Sequence, residues 1–170
     1  MDWYALFVRT GDENRVERYL NYHFEKSECT AIIPKSKLTE RTKGKYYEVL
    51  KPLFPGYILI NTIMNDHSYY IIRQIPKVYR ILRQAEEYYT NINLEEMKPI
   101  LKLIDEKSII DYSKIFIENS RVFVKDGPLH GMEGIIKRVD KRKARATIAL
   151  DFMGESRMID LGVEILSKQD

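Results

Sequence analysis

A Pro-Gly pair set inside an apolar run, KPLFPGYILI at residues 51–60, constrains this chain more than any other feature. Proline presets φ at the first central position of a turn and glycine accepts positive φ at the second, while Phe54, which precedes Pro55, is pushed into extended backbone. The turn therefore feeds the chain straight into residues 57–62, whose apolar content marks a buried strand. A second constraint lies at residues 126–150, DGPLHGMEGIIKRVDKRKARATIAL. Gly127-Pro128, Gly131 and Gly134 punctuate it and a cationic hairpin tip follows, the pattern of a small basic β module.

Around the first constraint the pattern is regular. Residues 3–10 are aromatic and β-branched and end at Thr10-Gly11-Asp12, which predicts an opening strand. Asp12 is a candidate N-cap, and Val16, Leu20 and Phe24 recur at helical spacing, with Tyr19 and His23 widening the apolar stripe. Strands are expected at 30–34, 57–62 and 78–82, and a helix from Asp66 to about residue 75. Residues 35–51 hold six basic and two acidic side chains, which predicts a long solvated hairpin loop. The order is β-α-β-β-α-β, a ferredoxin-like α+β pattern.

Asn93, with Glu96 three residues on, opens a further helix to about residue 106, in which Pro99 predicts a kink or a shifted start. The stretch 107–119 contains no Gly or Pro and reads as a linker whose Ile and Tyr residues pack on one domain. Alternation at 121–124, a strand beginning at 134–136, and the runs 144–152 and 158–161 predict a small β-barrel. The expected division is thus 1–106, 107–119 and 120–170.

Composition excludes more than it assigns. At 170 residues, 44% hydrophobic and 31% charged, the chain is ordinary globular material. A net charge of +3 is too small to diagnose a nucleic-acid partner, so only the distribution of charge can argue for one. The lone Cys29 allows no internal disulfide and suits a reducing compartment. Neither a secretion signal nor a run of roughly 18 apolar residues is present, so no membrane association is expected and the expected location is cytoplasmic. His23, His67 and His130 lack ligand spacing, and His23 falls on the apolar helix stripe. No phosphate loop, nucleophile elbow or dinucleotide fingerprint occurs. The chain is expected not to be an enzyme, to need no cofactor or metal, and to be a monomer.

Binding features are stronger. Residues 137–145 carry Lys137, Arg138, Lys141, Arg142, Lys143 and Arg145 against Asp140 alone. A hairpin tip with that charge can meet a phosphate backbone, although the same charge also suits a merely soluble turn. Tyr46, Tyr47, Tyr57, Tyr69, Tyr70, Tyr88 and Tyr89 are too many for a small domain to bury entirely, and tyrosine combines contact area with a polar tip.

Taken together, the LFPGY turn and strand followed by the Gly-punctuated basic module resemble the NusG family of transcription elongation factors, across nearly the whole chain. The resemblance implies an N-terminal NGN domain and a C-terminal KOW β-barrel. It implies docking on the clamp helices of RNA polymerase through Leu53, Phe54 and Tyr57, with Tyr4 and Leu6 nearby, and contact with upstream-fork, non-template DNA through Arg73, Gln74 and Lys77. For the KOW module it implies an RNA or protein ligand. The family's hydrophobic FGR-x-TPVEL stretch is replaced here by FMGESRMIDL at 152–161, which argues against the housekeeping partners Rho and ribosomal protein S10. The unusually basic hairpin instead points to a specialised, LoaP-like antitermination paralogue that binds RNA. A general NusG and a ribosome-associated KOW protein are the alternatives.

Overall fold

The structure is a computed structural model that describes residues 1–167; the last three positions of the 120–170 module lie outside the described residues. In chain order the first elements are β1 (Asp2–Val8), α1 (Glu13–His23), β2 (Cys29–Ile32), β3 (Lys35–Thr42), β4 (Lys45–Pro52) and β5 (Tyr57–Thr62). Next come α2 (Asp66–Gln74), β6 (Val78–Ile81), α3 (Leu94–Leu103), β7 (Ile109–Ile110) and β8 (Ser113–Glu118). The chain closes with β9 (Arg121–Asp126), a 3-10 turn at Glu133–Ile135, β10 (Ile136–Asp140), β11 (Arg145–Phe152) and β12 (Glu155–Ile165). These elements form two compact units, Met1–Ile33 with Phe54–Met97, and Pro34–Leu53 with Lys98–Asp170.

The first unit is the ferredoxin-like fold expected from the sequence. Its sheet has the order β2-β5-β1-β6 and every neighbouring pair is antiparallel. Register places Leu6 opposite Ile58 and Tyr4 opposite Ile60, so these four point to one face. There they join Val16 and Leu20 of α1 and Ile72 of α2 in one buried cluster. Full burial of a Val, Leu or Ile side chain contributes about 1.5–3 kcal/mol, so this shared face is what holds both helices on the sheet. Asn65 starts α2 with a capping box: its side chain accepts from Ser68 N–H at 2.9 Å and the Ser68 hydroxyl accepts from Asn65 N–H at 2.9 Å. Asp12 stands at the N-cap of α1 without bonding the helix through its side chain, which pairs instead with Arg9 and Arg15.

The second unit departs from expectation in two places. Residues 35–51 form no solvated loop: β3 and β4 pair over eight residues, from Lys35 opposite Pro52 to Thr42 opposite Lys45. Lys43 and Gly44, both at positive φ, make the two-residue turn that matches strand twist. Ser36 and Leu38 alternate inward between the charged residues, and β3 pairs in parallel with β7. Residues 107–119, read as a linker, contain β7 and the whole of β8, and Ile110, Ser113 and Ile115 are buried. β8 belongs to the five-stranded sheet β10-β11-β12-β8-β9, pairing in parallel with β12 through Val163 and Ser113. Val124, Ala146, Ile148, Leu150, Phe152, Leu161 and Val163 are buried in this open half-barrel, the small β-barrel expected of the C-terminal module. Pro99 lies inside α3 rather than at its start.

Candidate functional site

The Pro55-Gly56 turn is tied down by a residue that sequence reasoning missed. Glu13, in the first turn of α1, is only 6% exposed. One carboxylate oxygen accepts from Gly56 N–H at 2.8 Å and the other from Gly11 N–H at 2.8 Å. The Gly56 carbonyl accepts from Val8 N–H at 2.8 Å. Gly56 has φ +83°, and a Cβ there would lie 3.0 Å from the Thr10 hydroxyl, so both backbone conformation and space call for glycine. The available signal was an acidic residue directly after Gly11-Asp12 at a helix start, where negative charge is favoured.

The five residues that the resemblance assigns to polymerase docking do not share one surface. Tyr4 and Leu6 point into the helix-covered core, and Leu53 and Phe54 are buried too, Phe54 being 3% exposed. Only Tyr57 is half-buried. Buried side chains cannot touch a partner, so none of the first four forms a docking surface itself. The accessible part is an aromatic row: Phe7 lies 5.5 Å from Tyr57 and 5.4 Å from the exposed Tyr79, ring centre to ring centre. The Arg80 guanidinium sits 5.5 Å from the Phe7 ring centre. The alternation of β1 turns Phe7 away from Tyr4 and Leu6, which explains the split.

Arg73, Gln74 and Lys77 do cluster in sequence and place. Arg73 and Gln74 are exposed at the end of α2, with the Arg73 guanidinium 5.9 Å from the Tyr69 ring centre. Lys77 is half-buried at φ +73°, and its carbonyl accepts from Arg9 N–H at 3.0 Å.

The six basic residues of 137–145 separate into three settings. Lys141, Arg142 and Lys143 are exposed on the turn between β10 and β11. Asp140 organises this turn: its carboxylate accepts from Lys143 N–H at 2.9 Å, a bond that lowers its pKa. Lys137 and Arg138 are exposed on β10, beside a cleft of about 530 Å³ that also holds Arg121, Phe123 and Glu133. Arg138 Nε donates to the Thr147 hydroxyl at 3.2 Å. Arg145 was expected on the same basic face but is committed elsewhere, pairing with Glu40 at 3.5 Å and Asp160 at 3.8 Å with its side chain mostly covered. Glu40 also pairs with Lys51, whose ammonium is the first cause of its lowered pKa. Arg145 thus braces β3 against β11 and β12.

Among the described residues no group of three or more His, Cys, Asp and Glu could hold a metal ion, and no helix is long and apolar enough to cross a membrane. The chain thus pairs a ferredoxin-like sheet with a small basic β-barrel. The family model described as transcription termination factor nusG matches residues 1–101. The chain is 26% identical to the transcription termination/antitermination protein NusG of Vibrio cholerae, over 99% of this chain and 96% of that protein. It is 28% identical to the protein of the same description from Staphylococcus aureus, over 98% and 94%. A solved structure described as domain interaction in Thermotoga maritima NusG has the same fold, at TM-score 0.55 and 20% identity over 95% of this chain and 93% of that one. The chain belongs to the NusG family: it is a transcription termination/antitermination factor, not an enzyme.

Proposed function

We propose that this chain binds the clamp helices of RNA polymerase through residues 1–106, raises processivity, and recruits RNA with residues 120–170, as a cytoplasmic monomer and a specialised, LoaP-like antiterminator. Holding polymerase in its closed form over a paused one needs only tighter binding to the closed form. The polymerase face is the aromatic row around Tyr57, underlain by Tyr4, Leu6, Leu53 and Phe54; Arg73, Gln74 and Lys77 meet non-template DNA.

One observation carries the RNA reading. Lys141, Arg142 and Lys143 are exposed on a turn whose one carboxylate, Asp140, is occupied by the turn's own backbone. Among the described residues none of the three forms an ion pair, so their charge is available to phosphate. The test is retention of the full chain on purified core RNA polymerase, together with binding to a structured leader RNA. A preference for the folded leader over a scrambled one that persists at physiological salt is expected, because shape and unpaired bases carry specificity. Failure to bind RNA, with tight binding to ribosomal protein S10 or Rho, would establish the general-factor reading instead. Binding to ribosomal RNA without retention on polymerase would make it a ribosome-associated protein.

A further inference from the structure

The β3–β4 hairpin, inserted between the second and third strands of the ferredoxin-like sheet, belongs to the same compact unit as the basic β10–β11 turn. Between them lies a cleft of about 780 Å³, lined by Thr39, Glu40, Arg41 and Tyr46 on one side and by Arg142 and Lys143 on the other. We infer that this cleft holds a single-stranded segment of RNA, with a base stacked on Tyr46 and the adjoining phosphates on Arg142 and Lys143. The inference rests on the RNA-binding reading and gives it an aromatic half.

Three features argue for that occupant. Tyr46 is 70% exposed, so its ring face is open to a ligand, and the Arg41 guanidinium lies 5.6 Å from its ring centre and steadies it. The two carboxylates of the cleft are already engaged: Glu40 by Lys51 and Arg145, Asp140 by the Lys143 backbone N–H. That leaves Arg142 and Lys143, together with Arg41 beside the Tyr46 ring, as the cations that face an incoming anion. An exposed aromatic ring beside cations is the arrangement that binds unpaired bases, whereas a duplex keeps its base faces stacked inside. The volume falls within the range that encloses a small organic ligand, which suits a nucleotide and its neighbouring phosphate. An acidic peptide would satisfy the cations but leave the ring without a planar partner.

Strand alternation supplies an internal control. Tyr47 is also exposed, but successive side chains on β4 point to opposite faces, and Tyr47 is not among the cleft residues. The experiment uses the full chain and a fluorescent stem–loop RNA in three forms: blunt, with a single-stranded uridine tail, and with the same tail in DNA. Tyr46→Ala should lose about tenfold in affinity for the RNA-tailed probe, since stacking contributes roughly 1–3 kcal/mol per base, and nothing for the blunt one. Tyr46→Phe should retain affinity, Tyr47→Ala should match the unaltered chain, and Arg142→Glu should weaken the tailed and blunt probes together. A 4-thiouridine in the tail should crosslink to β4 at Tyr46. If Tyr46→Ala binds the tailed probe as well as the unaltered chain while Arg142→Glu weakens it, the cleft assignment is overturned and the RNA-binding reading survives. Tighter binding of the DNA tail, or crosslinks confined to β9 and β10, also overturns it. Should no probe bind and polyglutamate occupy the cleft instead, both readings fall.

Discussion

At Phe54 and Tyr57 the difference between supporting a surface and forming it can be measured. Phe54 is buried, so Phe54→Ala should destabilise the chain by about 3–5 kcal/mol, seen as a lowered denaturation midpoint, and any loss of polymerase binding would accompany that loss of stability. Tyr57 is half-buried beside Phe7, so Tyr57→Ala should weaken retention on polymerase while changing the midpoint far less. Equal destabilisation by both, with equal loss of binding, would remove Tyr57 from the docking face. Cys29 allows a second residue-scale prediction. Burial, as the first cause, pushes its thiol up to about 11 from an ordinary 9.0. The unfolded chain therefore releases this proton before the folded one, so the thiol's contribution is present below the ordinary value and is lost as pH rises from 9.0 toward about 11. Across that window Cys29→Ala should lose stability less steeply than the unaltered chain, and at neutral pH the native thiol should react with iodoacetamide much more slowly than the unfolded one. A native reaction rate equal to the unfolded one would refute the burial. Side-chain types alone suggested neither Glu13 as the clamp on Gly56 nor the committed state of Arg145, because both depend on which distant backbone or carboxylate the fold delivers.

Among the elements, the legible ones carry local periodicity. Val16, Leu20 and Phe24 announced α1, and the apolar runs announced β1 and β5, because each pattern reports a face packed against a single core. β3, β4 and β8 were obscured for a definite reason. Six basic residues in 35–51 dominate its composition and hide the alternation of Ser36 and Leu38, while β3 and β8, besides their hairpin partners β4 and β9, pair in parallel with β7 and β12, which are distant in sequence. No local pattern encodes such a pairing. Gly162 on β12 records it once the fold is known: a Cβ there would lie 2.3 Å from the Lys37 carbonyl oxygen and 2.6 Å from the Tyr112 ring. Tyr112 also shares a 2.8 Å hydrogen bond between its hydroxyl and that of Thr39. Gly162→Ala should therefore force β3 and Tyr112 off β12, costing about 1–3 kcal/mol as overpacking does, and should speed amide exchange along β3 before β1 or β5 is affected. Unchanged exchange along β3 would show that the hairpin does not pack there.

For the whole molecule, a net charge of +3 says little, and the distribution of charge makes a quantitative claim. Five of the six basic residues at 137–145 are exposed and one, Arg145, is spent on Glu40 and Asp160. If the exposed five meet phosphates, the logarithm of RNA affinity should fall linearly with the logarithm of salt concentration, with a slope of about −3.5 to −4.5, since each neutralised phosphate contributes roughly −0.7 to −0.9. Replacing Lys141 and Arg142 together by alanine should make that slope shallower by about 1 to 2 and leave the thermal midpoint unchanged, because both side chains stand in solvent. Arg145→Ala should do the reverse, lowering the midpoint by removing a partner from two carboxylates while the salt slope stays as it was. The pair of measurements separates charge that binds from charge that braces. A salt slope altered by Arg145→Ala but not by the double replacement would invert the assignment and move the RNA contact from the turn to the strands beneath it.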